Sequence, residues 1–167
     1  KGIGLFILGL LEDYSRTGEQ TFLDEALALG DWLLAEQSDK KIWQHACWGY
    51  HFDWNARAFF VPKGKPNVIT TIYVAQALFA LGKTTGNDKY TAPALDAAHF
   101  IVKFLHTKYE GREFFAYIPG EKTFVHNASL WGAAWVAFVA NETGNEAYKE
   151  LALSVARLSV SEQAADG

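Results

Sequence analysis

The residues best suited to chemistry fall in two stretches that do not read as helix. The first, SDKKIWQHACWGYHFDWNARAFFVPKGKPNV at 38–68, carries Trp43, Trp48, Tyr50, Phe52, Trp54, Phe59 and Phe60. The second, at 107–126, carries Tyr109, Phe114, Phe115, Tyr117 and Phe124. Loop chemistry favours small polar residues, so twelve aromatics in two loops either cap the apolar end of a helical bundle or build a site. Trp48, Tyr50, Phe52 and Trp54 alternate as they would along one face of a strand, which would leave Gly49, His51 and Asp53 on the other face. An aromatic wall beside a polar edge suits stacking on sugar rings or enclosing an apolar ligand.

Asp53 and Arg57 are the charged residues of interest here. A carboxylate set among Trp48, Phe52 and Trp54 would have its ionised form disfavoured by desolvation, which is how a general acid is made, unless Arg57 pairs with it and reverses the effect. If the protein is an enzyme, Asp53 is the expected acid or base, with His126 as its partner. Trp48 and Trp54 are expected as stacking faces, Arg57 as a bidentate clamp for a carboxylate, and Tyr117 as a contribution from the second loop. Asn127 opens an apolar helix, where it would serve as an N-cap or help hold an anion at the helix N-terminus. His45, Cys47, His51 and Asp53 are all of zinc-binding type, but their spacing matches no strong zinc pattern. No metal and no cofactor is expected.

The elements that must position these residues follow from an internal repeat. TGEQTF at 17–22, TGNDKY at 85–90 and TGNEAY at 143–148 each follow an apolar helical stretch and precede an amphipathic one. Gly18, Gly86 and Gly144 are placed to end the first helix of a hairpin in the left-handed conformation. Stretches 2–11, 69–82 and 127–140 contain no charged residue, as expected of helices buried all round. Their partners, near 20–37, 88–106 and 145–162, mix charged residues with Leu and Ala at helical spacing, so each has one wet face. Pro93 near the start of the fourth helix suggests that this helix begins later than residue 88. Inner and outer layers of alternating helices predict an all-α fold of three helical hairpins, about half of an α/α toroid. Both long connections join an outer helix to the next inner one, which puts both at one end and the Thr-Gly turns at the other. Long connections in a compact domain usually build a site.

Bulk properties narrow the classes further. The chain has 167 residues, a net charge of −4 and a single cysteine. An acidic balance argues against nucleic acid or an anionic membrane held by bulk electrostatics, and the apolar run GIGLFILGLL is about half the roughly 20 residues that a membrane span requires. No disulfide is possible within the chain, so the composition carries no sign of an extracellular setting and leaves the periplasm open; localisation is unknown, with the cytoplasm favoured. With no methionine at any position, the expectation is a single partial domain, 1–167, cut from a longer protein. The inner helices at the two ends, 2–16 and 127–142, would then leave apolar flanks open, and self-association through them into a homodimer is expected.

CWGYHFDWNARAFFVPKGKPNVITT, the helix with TGNDKY, FAYIPGEKTFVHNA and the terminal SEQAADG together resemble a group of bacterial and archaeal α/α-toroid proteins. These are related to the six-hairpin glycosidases and are often found with polysaccharide biosynthesis. The chain departs from that group at Asn55, where glutamine is expected, and at Ser129, where asparagine is expected. The resemblance implies a toroid fold and an oligosaccharide or polysaccharide ligand, with glycoside hydrolase- or lyase-like chemistry if the protein is an enzyme. Two other readings compete. Toroidal terpenoid cyclases and prenyltransferases carry a glutamine, glycine and tryptophan repeat ending that Gln37 with Trp43 and Gln163 with Gly167 echo, but the chain lacks their aspartate-rich acid motif. A non-enzymatic interaction scaffold is the third, because fold alone does not give function.

Overall fold

The computed structural model describes residues 1–164. Three antiparallel helical hairpins make up most of it: α1 (Gly2–Thr17) with α2 (Gln20–Ala35), α4 (Val68–Thr85) with α5 (Asp88–Phe100), and α6 (His126–Thr143) with α7 (Glu146–Ser161). A four-residue helix, α3 (Lys40–Trp43), lies in the first long connection. The inner helices stand side by side with α4 in the middle, touching both α1 and α6.

The three Thr-Gly turns share one local solution. Gly18, Gly86 and Gly144 have φ of 75°, 67° and 69°, and their N–H groups close onto Tyr14, Gly82 and Ala140 carbonyls. An L residue with a side chain is strained at that φ, which is why glycine recurs. Asn87 and Asn145 then cap the outer helices, their side chains accepting from the Lys89 and Tyr148 N–H groups. The capping carboxamide satisfies N–H groups that the first turn leaves open. Glu19 stands at the same place before α2 without a side-chain cap bond.

Burial separates the middle of the assembly from its ends. In α4 ten residues are buried, from Val68 to Gly82, as its uncharged sequence requires. In α1 only Gly4, Ile7 and Leu11 are buried, and Leu5 and Phe6 are 48% and 68% exposed. The expectation that all three inner helices are buried all round therefore holds for α4 and fails for α1, which has a neighbouring hairpin on one side only. Gly4 lets α1 approach α4 closely: a Cβ there would meet the Tyr73 carbonyl oxygen at 2.6 Å.

Two further expectations are corrected. Helix α5 begins at Asp88 in spite of Pro93, which lies inside it. The Asn87 cap and the buried Tyr90, whose hydroxyl donates to Asp31 Oδ1 at 2.7 Å, hold that first turn. The end of the helix widens into a π turn, Ile101–Leu105, that leads directly into strand β3 (His106–Tyr109). Strand β3 pairs with β4 (Arg112–Phe115) in an antiparallel hairpin. Its two-residue turn, Glu110 and Gly111, has φ of 49° and 77°, positive at both positions as a type I′ hairpin turn requires. The second connection is therefore a hairpin followed by a loop, and an X-Gly pair between HTKY and REFF was its signal. In the first connection β1 (Trp54–Asn55) pairs with β2 (Phe60–Val61), but residues 48–53 form no strand and make only an isolated bridge from Gly49 to Pro66.

Both connections are tied to the start of α4. The Asn67 N–H donates to the Trp48 carbonyl at 3.0 Å, and the Val68 N–H donates to the Tyr117 carbonyl at 3.0 Å. Asn67 itself is buried and caps α4 by accepting from the Thr70 N–H at 2.8 Å. The long loops thus lie at one end, as the connectivity predicts. The last three residues, including Gly167 and the end of the SEQAADG motif, lie outside the described residues.

Candidate functional site

At the loop end, a cavity of about 580 Å³ opens between α4, α6 and both long connections. Four expected ligand-binding residues, Trp54, Arg57, Tyr117 and Asn127, lie in its wall. Trp54 packs tilted against Tyr117 with ring centroids 5.5 Å apart, and Phe59 meets Tyr117 from another direction at 5.3 Å. Tyr50 stands edge-on to Trp54 at 5.7 Å, and its hydroxyl lies 2.7 Å from that of Tyr117. Burial, and then the bond to Tyr50, push the Tyr117 phenol well above its ordinary range. It stays neutral at physiological pH and offers a hydrogen bond rather than a charge. Arg57 is exposed and forms no ion pair among the described residues, so its guanidinium is available to a ligand.

The remaining expected site residues lie elsewhere. Trp48 is 2% exposed and donates its Nε1–H to the Leu33 carbonyl at 2.7 Å, a core anchor that leaves no face for stacking. Its backbone N–H donates to Thr71 Oγ1 at 3.1 Å. Because 48–53 is not a strand, alternation does not govern which way these side chains turn. Tyr50, Phe52 and Trp54 form one aromatic cluster, and Trp48 is turned inward. Asp53 is exposed and accepts from the Lys63 N–H at 2.7 Å. It is neither enclosed by aromatics nor paired with Arg57, and it is absent from the wall of the cavity. The desolvated acid expected from its neighbours is therefore not assembled.

His126 is also outside the cavity. It lines a separate depression of about 360 Å³ with Arg112 and Glu162. Its Nδ1 lies 3.1 Å from Ser159 Oγ and its Nε2 lies 3.5 Å from Glu162 Oε2. Successive helical residues point about 100° apart, so His126 faces α7 and Asn127 faces the cavity. Asn127 does not cap α6. Val125 holds the cap position without a side-chain bond, and this leaves Asn127 in the first turn with its carboxamide toward the ligand space. An Asp53–His126 acid–base pair is not formed.

The four zinc-type residues part in four directions. His45 Nδ1 lies 2.8 Å from Asp96 Oδ1, Cys47 is fully buried with its thiol pushed up to about 12 by burial, His51 lies 3.9 Å from Glu36, and Asp53 holds Lys63. Ser129, at a position where the resemblance expects asparagine, is buried with its Oγ accepting from the Phe115 N–H at 3.2 Å. It joins α6 to β4 and makes no part of the cavity wall.

Tyr73 and Trp131 belong to the wall and were not expected there. Their rings meet at 5.7 Å across the gap between α4 and α6. The repeat contained the signal. The second and third Thr-Gly turns start at 85 and 143, and the same offset carries Ile69 to Asn127 and Tyr73 to Trp131. All four residues line the cavity. Within each helix the two are separated by four positions, so they share a face.

No protein-family model matches the chain, and no curated protein matches it. Among solved structures it is similar to a glycoside hydrolase family 76 (mannosidase) protein from Bacteroides thetaiotaomicron VPI-5482, with a TM-score of 0.60 and 15% sequence identity. The match covers 95% of this chain and 43% of that one, so the chain spans less than half the length of its structural neighbour. That neighbour has the six-hairpin glycosidase architecture, and the hairpins described above reproduce part of it: the fold is all-α, three helical hairpins that form about half of an α/α toroid.

Proposed function

We propose that the loop end of this toroid binds a carbohydrate, and that the ligand is an acidic polysaccharide or oligosaccharide handled in polysaccharide metabolism. The observation that carries this reading is the composition of the 580 Å³ cavity. Trp54, Tyr73, Tyr117 and Trp131 offer aromatic faces, Arg57 offers an unpaired cation, and Asn127 offers an amide. Sugars present apolar C–H faces and polar rims, and aromatic rings with a few convergent hydrogen-bonding groups match both. Arg57 beside the uncapped N-terminus of α6 favours an anionic group such as a uronic acid carboxylate.

The wall holds no Asp or Glu among the described residues. Hydrolysis of a glycosidic bond ordinarily takes two carboxylates, so the arrangement supplies recognition and positioning rather than a complete hydrolytic centre. The structural neighbour is named as a mannosidase, which makes a neutral mannoside the natural comparison for an acidic ligand. Isothermal titration with an oligoglucuronide and an oligomannoside tests the proposal. The expected result is binding of the acidic ligand that weakens about tenfold or more in Arg57→Ala, the range for losing a charge-assisted pair. Equal binding by Arg57→Ala and the parent chain removes the anion clamp. Binding of neither sugar removes the carbohydrate reading.

A further inference from the structure

Tyr50 separates the cavity just described from a second one of about 440 Å³. The second wall is mostly apolar. Leu5 and Phe6 come from α1, Trp32 from the end of α2, and Phe52 from the first long connection. These four are 48%, 68%, 42% and 58% exposed, so three separate parts of the chain each turn a large apolar side chain toward one groove without burying it. Lys1, Glu36 and His51 are the titratable residues on this wall, with His51 Nδ1 3.9 Å from Glu36 Oε2.

Lys1 and Tyr50 line both cavities, and Tyr50 presents different contacts to the two. The Tyr50 ring stacks on Phe52 at 5.2 Å and 10° on the apolar side. On the other side it meets Trp54 edge-on, and its hydroxyl reaches Tyr117. A ligand spanning this wall would meet aromatic faces with Arg57 and Asn127 on one side and a mostly apolar wall, with Lys1, Glu36 and His51 among its residues, on the other. Water is poorly held over such a groove, and apolar matter entering it gains in proportion to the area covered.

Resting on the carbohydrate reading above, we propose that this end takes an amphiphilic glycoside: a sugar in the cavity of Trp54, Tyr117 and Arg57, and an apolar aglycone lying across Tyr50 into the groove of Leu5, Phe6, Trp32 and Phe52. The chemical class is a glycan carried on an alkyl or polyisoprenoid group. The groove is then a specificity element for the attached apolar group, while the sugar site works independently of it.

Isothermal titration with methyl and octyl glycosides, as β-glucuronides and as α-mannosides below their micellar concentrations, separates the two readings. Phe6 is two-thirds exposed, so Phe6→Ser leaves the fold intact. The expected result is that the octyl compound of the bound sugar binds at least tenfold tighter than the methyl compound. Phe6→Ser abolishes most of that gain with methyl affinity unchanged, and Trp54→Ala weakens both compounds by a similar factor. Equal affinity for methyl and octyl compounds overturns the amphiphile proposal and leaves the carbohydrate reading standing. Octyl binding untouched by Trp54→Ala overturns it too, because the tail then binds without the sugar. If sedimentation shows a dimer that Phe6→Ser dissolves, and the octyl gain is absent, the groove is a contact between copies and the proposal fails. No binding of any of the four probes overturns both readings.

Discussion

The hydroxyls of Tyr50 and Tyr117 meet 2.7 Å apart, and that bond joins the first long connection to the second in the wall of the 580 Å³ cavity. Tyr117 is 6% exposed, so its hydroxyl has little recourse to water if its partner is removed. Tyr50→Phe is expected to destabilise the protein by about 1–3 kcal/mol, the cost of an unsatisfied buried polar group. The double variant Tyr50→Phe with Tyr117→Phe should recover part of that loss, because both polar groups are then gone. Urea denaturation of both single variants and the double variant beside the parent chain measures it, and a double variant as unstable as the sum of the single ones would show that the bond does not join them.

Trp54→Ala is expected to weaken glycan binding by about 1–3 kcal/mol through loss of a stacking face, without a matching loss of stability, because its ring is 37% exposed. Asp53→Asn should leave binding unchanged, since Asp53 contacts Lys63 and not the cavity. Titration of both variants with the same oligoglucuronide checks the pair. A large loss in Asp53→Asn would place that carboxylate in the ligand's path after all.

Glu113 ties the β3–β4 hairpin to α7. It accepts from Ser154 Oγ at 2.7 Å and lies 2.9 Å from His106 and 3.0 Å from Lys108. The Ser154 bond first, then that from Lys108, hold its carboxyl down at about 2, against an ordinary value of 4.5. A carboxylate whose folded pKa is depressed contributes stability that is complete above its unfolded pKa and is lost as pH falls through the folded one. Stability should therefore fall between about pH 5 and pH 2, by about 1–2 kcal/mol from this group once solvent screening of its partly exposed carboxylate is allowed for. Glu113→Gln should flatten that part of the profile. Denaturation series across this window, with and without the substitution, decide it. Parallel profiles would mean that other carboxylates carry the acid sensitivity.

The outer edge of the third hairpin exposes Leu130 on α6 with Leu153 and Val160 on α7. Exposed apolar edges of this kind are usually covered, and self-association is expected there. Sedimentation at tens of micromolar should show a dimer that Leu153→Lys shifts toward monomer. A clean monomer at that concentration would count against it.

The amino-acid sequence by itself determined the layering, the hairpins and the end at which the loops gather, because each rests on local chemistry. An uncharged stretch faces the inner layer, a Thr-Gly turn needs the left-handed conformation at Gly18, Gly86 and Gly144, and connectivity alone puts both long loops at one end. It also grouped Trp54, Arg57, Tyr117 and Asn127, since aromatic and polar residues in long loops have few structural duties, and these four line one cavity. What the tertiary structure decided was direction. Trp48 and Tyr50 are two residues apart, yet one is drawn into the core by the Leu33 carbonyl and the other lies between two cavities. His126 and Asn127 are adjacent, yet the roughly 100° of helical rotation between them turns one toward α7 and the other toward the cavity. Asp53 sits among aromatics in sequence, but the Lys63 N–H that holds it is ten positions away. Side-chain direction in an irregular segment depends on such long-range bonds, and no periodicity encodes them.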